Sequence, residues 1–82
     1  MASERWTDHG ERLTREVACA SHPDAVATIV RLSHLFEAEN HHADLVLSWR
    51  TLTLTLTTHD AGGTVTERDH AMADAIDALL DG

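Results

Sequence analysis

Three histidines in the middle of the chain are of the residue type best suited to proton transfer near neutral pH or to metal binding. His41 and His42 are adjacent, and His59 ends a run in which apolar and polar side chains alternate. Alternation with a period of two is typical of a half-buried β-strand, and an extended strand can carry His59 back toward the loop that holds the pair. The stretch from Glu37 to Asp69 therefore predicts neighbouring imidazoles, which would serve either general acid–base catalysis or a metal site.

A metal site is the weaker of these two interpretations. Zinc needs three or four convergent His, Cys, Asp or Glu ligands, whereas adjacent residues such as His41 and His42 often point in different directions. The lone cysteine, Cys19, falls on the apolar side of another predicted strand, and neither a CxxC nor an HExxH spacing occurs. General acid–base catalysis fits better, because histidine, with a reference pKa of ~6.5, can both accept and donate a proton near neutral pH. The chain also has no GxSxG nucleophile elbow and no phosphate-binding glycine loop.

The elements that must position these histidines begin with a hairpin and a helix. Residues 4–20 predict a β-hairpin whose turn contains Gly10, which can adopt positive φ. A helix is expected from Ser21, whose hydroxyl can cap it and which a proline and an acidic residue follow. Apolar residues at helical spacing continue to about Glu39, and Asn40 can end the helix. The histidine pair is therefore expected directly after this helix.

The second half of the chain predicts two strands and a second helix. Its apolar residues first occupy odd positions, at Leu45, Leu47 and Trp49. They then change parity and occupy even positions, at Leu52, Leu54 and Leu56. Because a one-residue change of phase exchanges the two faces of a strand, a tight turn or bulge is expected at Arg50–Thr51, with Trp49 in the core or in an interface. The alternating threonines from Thr51 to Thr57 form the polar face. The second helix is expected from Thr66, where the segment TERD resembles a capping box.

Length and charge restrict the class of protein. The 82 residues allow one small domain, which we assign to residues 1–82. Six arginines, no lysine and fourteen acidic residues give a net charge of −8, which argues against nucleic-acid binding because that requires clustered basic side chains. A single cysteine fits a reducing compartment, and neither an apolar run of ~20 residues nor a signal-peptide pattern is present. A cytoplasmic protein that does not enter a membrane is therefore expected.

The spacing of the histidines and their neighbours resembles that of one protein family. The series with fixed intervals consists of Glu37, His41, His42, Trp49, His59 and Asp69. The segments ENHHAD, TLTTHDAGG and VTERD resemble three features of the pterin-4a-carbinolamine dehydratases, also known as dimerisation cofactors of a homeodomain transcription factor. These features are the histidine pair, the strand end at the third histidine and the start of the last helix. The clear resemblance covers residues 37–80, and a weaker one extends upstream to Trp6.

This resemblance implies a specific reaction and a specific site. Members of the family dehydrate 4a-hydroxytetrahydropterin to quinonoid dihydropterin, which recycles the cofactor of aromatic amino acid hydroxylases, and they use neither a metal nor an organic cofactor. By position, His41 and His59 resemble the acid–base histidines, and His42 resembles the neighbour that contacts the pterin. Further pocket positions of the family correspond to Glu37, Arg68 and Asp69. In the site, Asp69 would orient an imidazole, although its place in a helix cap would also explain an acidic residue there. Glu37 and Arg68 could likewise be ordinary surface residues.

The expected fold is an α+β domain in which a four-stranded antiparallel sheet packs two helices on one face. The N-terminal helix that usually precedes the first strand of the family is expected to be missing, and Ala43 stands where a proline is usual. Because sheet edges can pair with another copy, and because the family forms dimers and tetramers, a homodimer or homotetramer is expected. The alternative to a dehydratase is a non-catalytic, dehydratase-like assembly or protein-interaction module, for which the short N-terminus and Ala43 are the reasons.

Overall fold

The computed structural model describes residues 3–59 and 62–81 as four strands and two helices. In chain order these are β1 (Thr7–Asp8), β2 (Leu13–Ala18), α1 (His22–Glu39), β3 (Asp44–Ser48), β4 (Thr51–Leu56) and α2 (Glu67–Asp81). The strands form one antiparallel sheet in the order β1–β2–β4–β3. The predicted α+β fold is confirmed, and no helix precedes β1 in the described residues. Neither of the described helices is long and apolar enough to cross a membrane.

Side-chain alternation on the two central strands places the core on one face of the sheet. Leu52, Leu54 and Leu56 of β4 are fully buried, whereas the threonines between them are only half-buried. The antiparallel register sets Leu13 of β2 opposite Leu56. Both helices join the same cluster, whose buried members are Trp6, Leu13, Leu32, Phe36, Leu52, Leu54, Leu56, Met72, Ala73 and Ile76. Burial of each large apolar side chain stabilises a fold by about 1.5–3 kcal/mol, so this layer holds the helices firmly against the sheet.

Both predicted ends of α1 are confirmed. The Ser21 hydroxyl accepts a hydrogen bond from the backbone N–H of Asp24 at 3.2 Å, as an N-cap does. At the other end, Asn40 adopts a left-handed conformation with a φ of 51°, which asparagine tolerates better than most residues. The backbone N–H of His41 still bonds to the carbonyl oxygen of Phe36, at 3.1 Å. The end of the helix therefore fixes the backbone at the first histidine of the pair.

The turn between β3 and β4 differs from the prediction by one residue. Ser48 pairs with Thr51, so the loop consists of Trp49 and Arg50 rather than of Arg50 and Thr51. Trp49 has a φ of 54°, which is uncommon for a bulky residue, and its side chain is 72% exposed. The prediction that places Trp49 in the core is wrong, because the two-residue loop removes it from the strand whose apolar parity it continues in the sequence. A role for Trp49 in an interface stays a prediction.

The start of α2 contains half of the predicted capping box. The carboxylate of Asp69 accepts a hydrogen bond from the backbone N–H of Thr66 at 2.9 Å. In a complete capping box the Thr66 hydroxyl would accept from the backbone N–H of residue 69, but this hydroxyl lies 2.6 Å from that of Thr58 instead. The helix end is therefore bonded to the end of β4. In the loop between β4 and α2, Asp60 and Ala61 lie outside the described residues.

A buried ion pair joins the N-terminal hairpin to α2. Arg15 lies on the core side of β2 and is buried. Its guanidinium contacts the carboxylates of Asp77 and Asp81, and Asp77 also accepts a hydrogen bond from the indole N–H of Trp6 at 2.9 Å. Since a buried charge is costly unless it is paired and hydrogen-bonded, these partners explain how an arginine can interrupt the apolar series of β2.

Candidate active site

Three segments of the chain meet at one end of the sheet. The first is the turn after α1, which holds His41 and His42, the second is the end of β4, which leads to His59, and the third is the first turn of α2. The register explains this meeting, because Asp44 at the start of β3 pairs with Thr55 near the end of β4. Strand pairing therefore brings the histidine pair and His59 to the same end of the sheet.

The first histidine of the pair contacts a buried carboxylate. Nε2 of His41 lies 2.7 Å from Oδ1 of Asp69. The side chain of His41 is 9% exposed and that of Asp69 is 0% exposed. The sequence leads us to expect an imidazole beside Asp69, and the imidazole that it contacts is that of His41. A contact of this kind can set the orientation and the proton position of the ring.

Three donors surround the Asp69 carboxylate. Besides the His41 ring, the Thr58 hydroxyl donates to Oδ2 at 2.7 Å and the backbone N–H of Thr66 donates to the same oxygen at 2.9 Å. Burial raises the pKa of Asp69 by penalising the charged form. The hydrogen bonds from Thr58, His41 and Thr66, together with the charge of His41, outweigh burial and hold this pKa below its ordinary value of 3.8. Asp69 is therefore ionised at neutral pH and only accepts hydrogen bonds.

The ionised carboxylate determines which ring nitrogen of His41 carries a proton. Because the carboxylate can only accept, Nε2 must donate, and Nδ1 is then the acceptor in the neutral imidazole. In the described part of the chain, no buried side-chain nitrogen or oxygen lacks a hydrogen-bond partner. Within those residues, the His41 ring makes its hydrogen bond through Nε2 and makes none through Nδ1. Nδ1 therefore reaches the accessible surface, where it can accept a proton from a ligand.

The histidines line a cavity of about 260 Å³. Its lining consists of Asn40, His41, His42, Asp44, Thr57, His59 and Arg68. A smaller cavity of about 130 Å³ is lined by Glu39, His41, Arg68, Ala71 and Met72. His41 and Arg68 belong to both linings, so the two cavities meet at these two side chains.

The other predicted site residues lie around this cavity at different depths. His42 and His59 are exposed and line it. Nε2 of His42 is 3.7 Å from Oε2 of Glu37, and Glu37 itself is not part of the lining. Arg68 is exposed and donates to the backbone oxygen of Asn40 at 3.3 Å. Arg68 therefore joins the start of α2 to the end of α1 beside the cavity, whereas Glu37 is connected to the cavity through His42.

Sequence reasoning assigned no role to three polar residues at this site. Asp44 and Thr57 line the cavity, and Thr58 is buried with its hydroxyl bonded to Asp69. The signal for Thr58 is its position, since it continues the parity of the buried leucines of β4, and a hydroxyl at a core position needs a hydrogen-bond partner. Asp44 carries no comparable signal, because an exposed acidic residue at the start of an edge strand is ordinary.

Two further features help to locate the site. The described residues contain no group of three or more His, Cys, Asp or Glu side chains that could hold a metal ion. A larger cavity of about 410 Å³ lies at the opposite end of β2, with Arg15, Cys19 and Leu80 in its lining. That lining contains no histidine, and the charge of Arg15 is already matched by Asp77 and Asp81. The histidine-lined cavity, rather than the larger one, is therefore the candidate active site.

Comparison with known proteins places this arrangement in a family. The family model described as "Pterin 4 alpha carbinolamine dehydratase" matches residues 1–79. The chain belongs to the pterin-4a-carbinolamine dehydratase family. Its relatives include proteins provisionally named pterin-4-alpha-carbinolamine dehydratase from Roseiflexus sp. (strain RS-1), 41% identical over 75 residues, and from Nocardia farcinica (strain IFM 10152), 43% identical over 74 residues. These matches cover 92% and 90% of this chain, and 80% and 77% of the relatives.

Two solved structures share the fold of this dehydratase-family chain. One is a transcriptional coactivator/pterin dehydratase from Brucella melitensis, with a TM-score of 0.82 and 24% identity, covering 93% of this chain and 82% of that one. The other is a pterin dehydratase-like protein identified as a RuBisCO assembly factor in the alpha-carboxysome, with a TM-score of 0.76 and 23% identity, covering 93% and 89%. At these identities the likeness concerns the fold, and the predicted α+β fold is confirmed. The predicted family is confirmed by the family model and by the relatives.

Proposed function

We propose that this member of the family dehydrates 4a-hydroxytetrahydropterin to quinonoid dihydropterin by histidine general acid–base catalysis, as a step in tetrahydropterin recycling. The observation that carries the proposal is the position of His41, whose ring contacts the ionised, buried Asp69 and also lines the cavity that His59 lines. This arrangement offers one acceptor nitrogen and a second imidazole to the same ligand. The family match and the provisional names of the relatives support the same activity.

Loss of water from the carbinolamine requires two proton transfers. In the proposed mechanism, Nδ1 of His41 takes the proton from the ring nitrogen of the pterin. The electron pair of that N–H bond forms the C=N bond as the bond between C4a and the hydroxyl oxygen breaks. His59 donates a proton to the departing hydroxyl, which leaves as water. Asp69 stabilises the imidazolium that forms on His41, as carboxylates paired with catalytic histidines do.

The remaining predicted residues have supporting roles in this proposal. His42 lines the cavity and contacts the pterin, with Glu37 beside it. Arg68 lines both cavities and can donate hydrogen bonds to the carbonyl and ring-nitrogen acceptors of a pterin. The reaction transfers no electrons to or from an external acceptor, and two imidazoles supply both proton transfers. The proposed mechanism therefore requires neither a metal nor an organic cofactor.

The test is the rate at which the protein accelerates the loss of enzymatically generated 4a-hydroxytetrahydropterin, followed by absorbance. We expect His41→Ala and His59→Ala to reduce kcat by ~10²- to 10⁴-fold, the range that general acid–base catalysis contributes. His34→Ala, on the exposed surface of α1, is the control and should leave the rate unchanged. Because His59 is exposed, its alanine variant should also keep the fold, which circular dichroism checks. A wild-type rate equal to the spontaneous rate would refute the proposal.

A second candidate function is protein assembly without catalysis. The observation that favours it is the exposed tip of the β3–β4 hairpin, where Trp49 is 72% exposed and Val46 of the edge strand β3 is 62% exposed. By analogy with the structure identified as a RuBisCO assembly factor, this surface would contact a protein partner or a second copy in a homodimer or homotetramer. Loss of such a complex in Trp49→Ala, but not in His41→Ala or His59→Ala, would favour assembly. Loss of pterin turnover in the two histidine variants would count against it.

A further inference from the structure

The Thr58 hydroxyl lies directly behind the groups assigned to the reaction. Thr58 is 4% exposed and precedes His59 in the sequence. It donates at 2.7 Å to Oδ2 of Asp69, the oxygen that does not contact His41. We propose that Thr58 is a positioning residue, which fixes the Asp69 carboxylate and, through it, the imidazole of His41. This inference rests on the proposed function, in which His41 is the base.

The donors around Asp69 can be assigned in one direction. Because Asp69 is ionised, Thr58 must give its single hydroxyl proton to Oδ2. The Thr58 oxygen can then only accept from the Thr66 hydroxyl, which lies 2.6 Å away. The backbone N–H of Thr66 donates to Oδ2 as well, at 2.9 Å. Two donors therefore hold Oδ2, and Oδ1 is left to His41.

This pattern leaves the carboxylate without an alternative orientation. Rotation about its Cβ–Cγ bond would move Oδ2 away from two donors at once, and a buried donor without a partner is costly. With the carboxylate fixed, Oδ1 accepts from Nε2 of His41 along one direction, which sets the tautomer and restricts the position of Nε2. Because a misplacement of about 1 Å can cost ~10²-fold in rate, Thr58 affects the reaction although it is not part of the cavity lining.

The helix cap alone does not need this hydroxyl. Asp69 already caps α2 through the backbone N–H of Thr66. The additional bond from Thr58 connects the strand end that carries His59 to the carboxylate that holds His41. The two histidines assigned to proton transfer are thereby held relative to each other through one carboxylate. The hydroxyl therefore acts on the site as well as joining the first residue of the helix cap to the end of β4.

The test compares Thr58→Val, which replaces the hydroxyl by a methyl group, with Thr58→Ser, which keeps a hydroxyl. Thr53→Val is the matched control, because Thr53 lies on the half-buried face of β4, the strand that leads to Thr58. We expect Thr58→Val to lower kcat about tenfold and to change KM less than about twofold, while Thr58→Ser keeps about half of the wild-type kcat or more. Thr53→Val should behave as wild type. Should the valine variant not fold, Thr58→Ala is judged in the same way.

A second readout needs no substrate. The Nε2 proton of His41 is bonded to a buried carboxylate, so its exchange with water, followed by NMR of the isotope-labelled protein, reports how firmly the ring is held. In Thr58→Val this exchange should be about tenfold faster than in wild type, whereas the exchange of backbone amides in β4 should not change to the same extent. A loss of global stability would accelerate both, so the comparison isolates the ring.

The outcomes separate this inference from the proposed function. If the Nε2 proton exchanges no faster in Thr58→Val than in wild type, the positioning role is refuted whether or not the protein turns over a pterin. The inference is equally overturned if Thr58→Ser is as impaired as Thr58→Val, or if Thr58→Val keeps kcat per folded molecule within about twofold of wild type. Faster exchange in a protein whose wild type has no turnover supports the positioning of His41 and refutes the dehydratase instead.

Discussion

Replacing Asp69 by asparagine removes the charge of the carboxylate and nearly preserves its shape. The asparagine side chain has one acceptor oxygen and one amide group that can only donate. The backbone N–H of Thr66 requires the oxygen at the Oδ2 position, so the amide group must occupy the Oδ1 position, which is 2.7 Å from Nε2 of His41. Nε2 then has to accept, which moves the ring proton to Nδ1. The nitrogen at the accessible surface can then no longer take a proton from the substrate.

The expected loss of rate is much larger than the expected loss of stability. Because the wrong tautomer removes the base without displacing the ring, kcat should fall by ~10²- to 10⁴-fold. Three hydrogen bonds to a charged group become neutral, and each changes from about 1.5–3 kcal/mol to about 0.5–1.5 kcal/mol. The removal of a buried charge offsets part of this loss. The free energy of unfolding should therefore fall by about 2 kcal/mol.

Dehydratase kinetics measure kcat, urea unfolding measures stability, and NMR of the His41 ring identifies the tautomer. Asp77→Asn is the matched control, since it also removes a mostly buried carboxylate from α2, but one that pairs with Arg15 away from the histidine cavity. It should lower stability and leave kcat per folded molecule unchanged. The assigned role of Asp69 is refuted if Asp69→Asn keeps kcat within about twofold of wild type, or if this variant loses activity while the ring proton stays on Nε2.

Two further predictions concern stability. Because the pKa of Asp69 is held below 3.8 in the folded protein, the ionised form contributes stability that is present above that pH and is lost as the pH falls through the folded-state pKa. Urea unfolding between about pH 5 and about pH 3 should therefore lose more stability in wild type than in Asp69→Asn, and equal losses would contradict the assignment. Trp49→Gly should raise the free energy of unfolding by up to about 1 kcal/mol, because glycine adopts positive φ without the steric cost that tryptophan has. Urea unfolding at low protein concentration checks this, and a lower stability would mean that the Trp49 side chain contributes more than its backbone costs.

The elements could be predicted from the sequence because their signals are local. The hydroxyl of Ser21 and the left-handed Asn40 mark the ends of α1 where the capping pattern predicted them. The parity of the leucines in β4 identified the buried face, since a strand alternates its side chains whatever surrounds it. The family could be predicted because it depends on fixed intervals, and the match over residues 1–79 confirms it.

Contacts between distant residues could not be predicted in the same way. The partner of Arg15 is Asp77, 62 residues away, and only the packing of α2 on the sheet brings them together. The partner of Asp69 depends equally on where α2 begins over the end of β4. The position of Trp49 depends on a choice between two loops, Arg50–Thr51 and Trp49–Arg50. The apolar side chain of Trp49 favours the first, which keeps it in the strand, but the structure has the second. Parity identifies a face of a strand, but it does not identify the residue at which the strand ends.

Two polar clusters interrupt the apolar interior, and they differ in a way that bears on function. Around Arg15, a cation faces the carboxylates of Asp77 and Asp81, so opposite charges meet and the charge of the arginine is matched within the cluster. Around Asp69, a fully buried carboxylate is surrounded by donors, and one of these, the His41 ring, has a second nitrogen at the accessible surface. Apolar side chains can often replace a whole buried ion pair at little cost, whereas Asp69 caps α2 and also keeps the ring proton of His41 on Nε2. This contact leaves Nδ1 of a histidine that lines the cavity as the acceptor, and departures from an apolar core are expected where function requires them.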